Sequence, residues 1–452
     1  MEPHHHSELV QSSLDLPSSV SVLTLASKTP PLFSQAEKDT KKLHSLSSLS
    51  SLKESIGSSE DSLPDVGLRA WAVLFGAMCI AFTTSGYIST WGVFQAHYEQ
   101  SLLQDMSPSM IAWIGSIQQS CLYIPTYMFT RLADRGYFHT LLIIASIVFI
   151  VATFLVAQCT SYWQFLLCQG MLTGITAGVF TGPVTAVLSQ WFDRRRGLAL
   201  GLYAAGSSLG GTVMPIITRE LFPVIGFKWT VRVIASVIMV GMALGNMIIK
   251  ERISSYKESG KSTKSSPMQS KVQFVLYCAA SFFTYLGYYT FTTYVASSAI
   301  SLGVSIDFAF YLVSICNASS GISRIVSGFV ADRIGAMNLM IPTICLSTTI
   351  YYVWPCLHSK IAFVFVSALY GISIGPFASL VAKPVLDFAE KDQLGQRIGI
   401  LMSTVGVAML IGTPISGAFD TNPKSFGMGS FAGSTMLFGA LLMAIFRYLS
   451  KK

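Results

Sequence analysis

The sequence predicts an all-α membrane protein: twelve transmembrane helices in two six-helix pseudo-repeats. Three observations point there. Only 12% of the 452 residues are charged while 52% are hydrophobic, and mean hydropathy is +0.56; a soluble domain carries about 25% charge. The stretches 136–192 and 272–306 contain no Asp, Glu, Lys or Arg, and the first is long enough for two spans of about 20 residues each. Finally, RLADRG, which holds Asp134 and Arg135, returns as GFVADRIG, which holds Gly328, Asp332, Arg333 and Gly335, at an offset of 198 residues.

Residues 1–66 stand apart. They hold nine acids and five lysines amid Ser and Leu, and no apolar period persists, so a disordered cytosolic tail is expected. No basic n-region followed by an apolar h-region occurs, so no cleavable signal peptide is expected. His4, His5 and His6 sit at the very start, where a metal site is not expected. The eight cysteines all fall in or beside apolar stretches without zinc-like spacing, and are expected to act as small apolar residues. No metal or cofactor is implied.

Charge gaps and turn residues place the spans near 70–97, 108–130, 138–158, 162–190, 196–218 and 230–249. After a polar segment at 250–272 they continue near 273–300, 307–330, 337–356, 360–386, 396–419 and 427–448. The domain reading is therefore a tail (1–66), an N-terminal six-helix half (67–249), a cytosolic linker (250–272) and a C-terminal half (273–452). With the N-terminus cytosolic, inner segments carry 18 Lys and Arg and outer segments five, which puts both termini inside by the positive-inside rule. The basic excess of residues 67–452 is thus explained by topology and anionic headgroups. No soluble basic face with interleaved aromatics points to nucleic acid.

The repeat extends beyond the DR motif. Gly174 and Gly178 of the fourth span recur as Gly371 and Gly375 of the tenth, and transporters are commonly built from such repeats. Gly170, Gly174, Gly178 and Gly182 form a stripe suited to close helix packing. Asp134 and Asp332 lie at span ends beside arginines, where a carboxylate–guanidinium pair can latch two helices. Gly328 permits close approach there. The basic triplet Arg194, Arg195 and Arg196 is open to three uses: topology anchor, lipid contact or part of the latch.

Charges inside spans are expensive and mark function by default. Two remain after the loops are assigned, Lys383 and Arg324. Lys383 lies near a span end and is expected to snorkel to the interface. Arg324 lies well inside the eighth span with no acid in that span. It is open to two roles, contact with an anionic substrate in a cavity or a structural partnership with the fifth span or the latch. All thirteen acids beyond residue 66 lie at span ends or in loops. No catalytic acid, base or metal set can be assembled at depth, which argues against an intramembrane enzyme, and no P-loop supports primary pumping.

These features, with a GxxxDRxG-like motif after the second and eighth spans, resemble the major facilitator superfamily. Finer matches resemble its monocarboxylate-porter branch, the fungal members especially: PDVGLRAW (Pro64–Trp71), WGVFQ (Trp91–Gln95), WIGSIQ (Trp113–Gln118), DRGYF (Asp134–Phe138), WFDRRRGLALGL (Trp191–Leu202), GSSLGG (Gly206–Gly211), NASSGISR (Asn317–Arg324) and PISGAF (Pro414–Phe419). The resemblance implies alternating access by the two halves and places Arg324 in the transport path. Path-lining companions expected from it are Gln118, Gln119, Tyr285, Tyr288, Tyr289 and Asn317. The first DR copy departs from the pattern, with Thr130 in place of its leading Gly and one residue fewer before Gly136. Further departures stand at Ser320 and Ser89, where animal proton-coupled members carry Asp and Lys. The expected function is movement of a small organic acid or related metabolite, facilitated or coupled by other means than the family's proton relay. Efflux of a fungal secondary metabolite leads; uptake of a monocarboxylate or vitamin-like nutrient, or a non-transporting sensor signalling through the Ser-rich tail, are the alternatives. The plasma membrane is the expected location.

Overall fold

The computed structural model describes residues 67–252, 268–388, 394–419 and 426–450. The tail 1–66, most of the linker, and Lys391, Lys424, Lys451 and Lys452 lie outside the described residues. What is described is helical throughout, within one compact unit. Backbone groups have no water to bond in a bilayer, so helices that satisfy them internally are the available solution.

Helix α1 runs Leu68–Ser89 and continues after a break at Thr90 as Trp91–His97. Helix α2 is Pro108–Tyr123, then Thr126–Leu132 beyond Pro125; proline has no N–H to continue the ladder. Helix α3 is Phe138–Val156, and α4 spans Tyr162–Trp191 with a π-helical stretch at Leu166–Leu172. The segment Arg196–Ile248 divides at Gly226, whose φ of 75° no L-residue adopts readily, into α5 and α6. In the second half, α7 is Met268–Tyr288 continued by Thr290–Ser301, α8 is Ile306–Ile334 and α9 is Ala336–Val353. Then come α10 (Lys360–Leu380), a short helix Lys383–Phe388, α11 (Leu394–Ala418) and α12 (Phe426–Ser450). Gly136 and Gly335, which end the two DR motifs, both take positive φ, 91° and 89°. The shortened first copy therefore still makes its turn.

The buried apolar residues form two clusters. One draws on residues 70–249; the other draws on residues 277–446 and on Leu200 of α5. The outer faces are apolar too: Ile143, Ile144, Ile147, Val151 and Leu155 of α3 are all exposed, as lipid contact requires. In lipid, close packing rather than exclusion from water brings helices together. The α4 glycine stripe does this against α2: a Cβ on Gly174 would meet Cys121 and the Gln118 carbonyl at 2.7 Å, and one on Gly182 would strike Thr126 and Thr130. In the repeat, Gly371 and Gly375 of α10 lie against Cys316, Ser319, Ser320 and Ser323 of α8.

Two seams join the clusters. Along α5–α8, Gly197 meets Asp332 and Gly328, Gly201 meets Arg324 and Gly328, Ser208 meets Gly321, and Gly211 meets Asn317. Along α2–α11, Gly395 meets Asp134, Gly399 meets Thr130 and Tyr127, and Gly406 meets Tyr123 and Ile124. Gly197 and Gly395 stand 198 residues apart, as do Asp134 and Asp332. The seams are copies of one another.

Candidate functional site

Two groups of polar residues lie along these seams. The first is at the end that carries both DR motifs. The Asp332 carboxylate accepts from the backbone N–H of Gly197 (2.7 Å) and of Leu198 (2.9 Å). These are orphan donors of the first turn of α5, where the helix dipole favours negative charge. Its Oδ1 also takes the Lys383 Nζ at 2.9 Å. Lys383 is only 7% exposed, so it is a buried ion-pair partner and not the snorkelling residue expected from its position; the short helix Lys383–Phe388 that carries it packs among α5, α9 and α11. The expected carboxylate–guanidinium latch is likewise corrected. Arg333 is exposed and lies over the Phe329 ring at 4.3 Å, and Arg135 is exposed. An arginine next in sequence to an aspartate on a helix points about 100° away from it. Of the basic triplet, Arg196 does reach across: it donates to the Leu386 carbonyl at 3.3 Å, pairs with Asp193 at 2.9 Å and stands 3.9 Å from Asp387.

Asp134, the repeat partner, lies against Gly395 at the first turn of α11. Among the described residues no cation stands within ion-pair distance of it. It lies in the turn between spans, where burial raises its carboxyl to about 6 from 3.8. Nearby Glu251 is raised too, first by its own burial and then by the Asp134 charge. Further along this seam, the Pro125 break frees the Ile124 carbonyl and the Tyr127 N–H. Ser403 of α11 takes both, donating to the first at 2.6 Å and accepting from the second at 3.3 Å.

The second group surrounds Arg324, midway along α8. Its Nη1 donates to the Ala204 carbonyl (2.8 Å) and to Ser207 Oγ (2.7 Å) of α5. Its Nε is buried with no partner, and among the described residues no carboxylate lies within ion-pair distance. The phenols of Tyr123, Tyr285, Tyr288 and Tyr289 lie near enough to feel the guanidinium charge. The α7 rings pack in series: Tyr285–Tyr288 centroids are 5.0 Å apart and Tyr288–Tyr289 4.7 Å. Tyr289 neighbours Gln119 and Tyr123 of α2. Arg324, Gln119, Tyr123 and Tyr289 are all half-buried. A cation with an unsatisfied donor edge, ringed by aromatic faces and phenols, suits a flat or amphipathic ligand bearing an acceptor or a negative charge.

Five of the expected lining residues thus converge: Arg324, Gln119, Tyr285, Tyr288 and Tyr289. Asn317 stands two turns along α8, donating to the Gly211 carbonyl at 3.2 Å. Gln118 does not join them. It is fully buried and donates to Thr173 Oγ1 of α4 at 2.8 Å; one residue is 100° of helix, and Gln119 takes the inward face. Tyr123 was not among the expected residues, although it lies one turn from Gln119 on the same face.

Among the described residues, long apolar helices, two repeat-related seams, and a polar cluster partway along them fit a membrane transporter rather than an enzyme. The chain belongs to the Major Facilitator Superfamily, whose profile matches residues 73–385 and 277–452. It is similar to an MFS-type transporter of Gibberella moniliformis, 33% identical over 86% of this chain and 92% of that one. It is 32% identical to the agnestins efflux protein AgnL12 of Paecilomyces divaricatus, over 84% of this chain and 87% of that one. It is also 32% identical to the aspyridones efflux protein apdF of Emericella nidulans, over 84% and 78%. Among solved structures, the human organic anion transporter MFSD10 (TETRAN) aligns with a TM-score of 0.65, covering 83% of this chain and 98% of that one at 12% identity. The proton:xylose symporter XylE aligns at 0.66, covering 83% and 95%, also at 12% identity. These last two share the fold alone.

Proposed function

We propose that this transporter exports a small, anionic or amphipathic organic metabolite of the secondary-metabolite class by alternating access, with Arg324 as the principal substrate contact. The observation that carries the reading is the Arg324 guanidinium: a charge at mid-depth with Nε unsatisfied, no counter-carboxylate among the described residues, and phenols around it. A cation within a span without a counter-charge is costly, and an acceptor on the substrate relieves that cost. The efflux names of two relatives support the export direction. The WGVFQ, WFDRRRGLALGL and NASSGISR segments support placement in the monocarboxylate-porter branch. Positive-inside bias supports cytosolic termini and, with them, a cytosolic Asp134–Asp332 end; the plasma membrane is the membrane an exporter serves. The two six-helix halves, 67–249 and 273–452, are the moving bodies. Their seam contacts would break and reform as they rock. The acids of the described spans lie at their ends, so coupling by an intramembrane carboxylate is not part of this reading.

The test is flux into inside-out vesicles from a panel of labelled aliphatic and aromatic carboxylates. A carboxylate moved by the wild type should lose at least tenfold in rate with Arg324→Gln, at equal protein level, as expected when a charged hydrogen bond is removed. Equal rates would defeat the assignment. Flux that persists after deletion of residues 1–60 would separate a transporter from a sensor.

A further inference from the structure

Helix α7 stops at Tyr288 and restarts at Thr290. In an unbroken helix the Phe291 N–H would bond the Gly287 carbonyl. Instead, the Tyr351 hydroxyl of α9 stands between them, accepting from Phe291 N–H at 3.2 Å and donating to the Gly287 carbonyl at 2.6 Å. The Tyr370 hydroxyl of α10 stands 3.1 Å from that of Tyr351 and donates to the Tyr288 carbonyl. Both tyrosines are buried, 0% and 1% exposed. Phe291 stacks on Tyr370 at 4.4 Å, with Trp354 edge-on to it at 5.2 Å, so the break is packed by aromatic rings. Side-chain insertion into the i→i−4 ladder is an established cause of a kink. Here it also satisfies the Phe291 N–H and the Gly287 and Tyr288 carbonyls, as a helix broken inside a membrane requires.

We propose that Tyr351 is a positioning residue for the Arg324 site. Its hydroxyl holds α7 bent, and the bend sets where Tyr288 meets Arg324 and where Tyr289 meets Tyr123 and Gln119. It reaches that site through backbone, its hydroxyl standing 3.3 Å from the Tyr288 carbonyl as well. The transport arm of this inference rests on the Arg324 reading above; the geometric arm does not.

Tyr351→Phe keeps the ring and removes only the inserted oxygen, so Phe291 N–H and the Gly287 carbonyl are free to bond each other and straighten α7. Two readouts test it on the full chain in lipid. The first is the distance between nitroxide labels carried on non-cysteine side chains at Ser101 and Ser301, both exposed and at the ends of α1 and α7 away from the DR motifs. The second is KM for whichever carboxylate the wild type transports. Tyr351→Phe should shift the label distance by several ångströms and raise KM about fivefold, as loss of one hydrogen bond predicts, with little change in maximal rate. Tyr352→Phe, whose hydroxyl instead meets Ser434 at 2.9 Å, should change neither. An unchanged label distance overturns the insertion hinge. A shifted distance with unchanged KM overturns the positioning role. Failure of the Arg324 reading would show separately, as an Arg324→Gln variant that transports normally while the label distance still responds to Tyr351→Phe.

Discussion

The α5–α8 and α2–α11 seams descend from one repeat and place an aspartate against a glycine in the first turn of the opposing helix, yet their electrostatics differ. Asp332 is held by two backbone amides and by Lys383. Asp134 occupies the matching place with no cation in ion-pair range among the described residues and a second acid, Glu251, nearby. The seams also differ in reach. Glycine and serine on α5 let α8 follow it from Asp332 to Asn317, whereas the α11 glycines that meet α2 run from Gly395 to Gly406 and those beyond turn to α7, Gly412 against Leu286 and Gly417 against Tyr294. A duplicated fold has kept the shape of its seams and placed the strong attraction on one side. Under alternating access, α5–α8 is then the firm seam and α2–α11 the adjustable one.

The largest effect should come from Asp332→Ala. It uncaps α5 and strands Lys383, a lysine whose side chain is 9% exposed, and breaking a buried pair by removing one partner costs about 3–5 kcal/mol. Thermal unfolding of the purified protein should fall accordingly and transport should fail. Asp332→Ala combined with Lys383→Met leaves no orphan charge and should be milder than Asp332→Ala alone. A double variant no milder than the single one would show that the pair is not coupled, and the contrast between the seams would collapse.

A second comparison uses one glycine from each seam. A Cβ on Gly328 would run into the Gly197 carbonyl, which is backbone, whereas a Cβ on Gly395 would meet only the Asp134 carboxylate, which can rotate. Gly328→Ala should therefore force its helices apart and cost about 1–3 kcal/mol, the usual range for overpacking, with loss of most transport. Gly395→Ala should be tolerated to within twofold in rate. Equal effects would mean that the two seams are equally adjustable.

The helices were readable from sequence because hydropathy and charge gaps report the bilayer directly, and the bounds at Tyr162, Arg196 and Lys360 coincide with turns or charges. Arg324 was readable because a lone cation in a span has few other reasons to be there. Lys383 was not: whether a lysine near a span end snorkels out or turns in depends on Asp332, which only the fold brings to it. Gln118 and Gln119 could not be separated, since α2 is apolar almost all round and lacks a polar face to fix its rotation. The hydroxyl insertions are the least legible features. Ser403 at the α2 break and Tyr351 at the α7 break come from helices distant in sequence, and a tyrosine in a span reads equally well as packing or interfacial belt.

The smallest effect, and the sharpest on the adjustable seam, is its response to pH. Closing α2 onto α11 buries the Asp134 carboxyl, and burial raises it to about 6 from 3.8. Below 3.8 the group is protonated whether the seam is open or closed. Above about 6 it is ionised in both, and closure then buries a charge. Acidification through that window should therefore favour the closed seam, and a rise in pH should weaken it. Nitroxide labels at Arg131 and Gln396, exposed positions on α2 and α11, should show a growing short-distance population from pH 7 to pH 5 in the wild type. In Asp134→Asn the side chain is neutral throughout and the profile should be flat, with the short distance favoured at every pH. Labels at Arg194 and Arg333, across the α5–α8 seam, should change little over the same range because Asp332 already has its amides and its lysine. A pH response of equal size at both seams would mean that the unpaired aspartate is not its source.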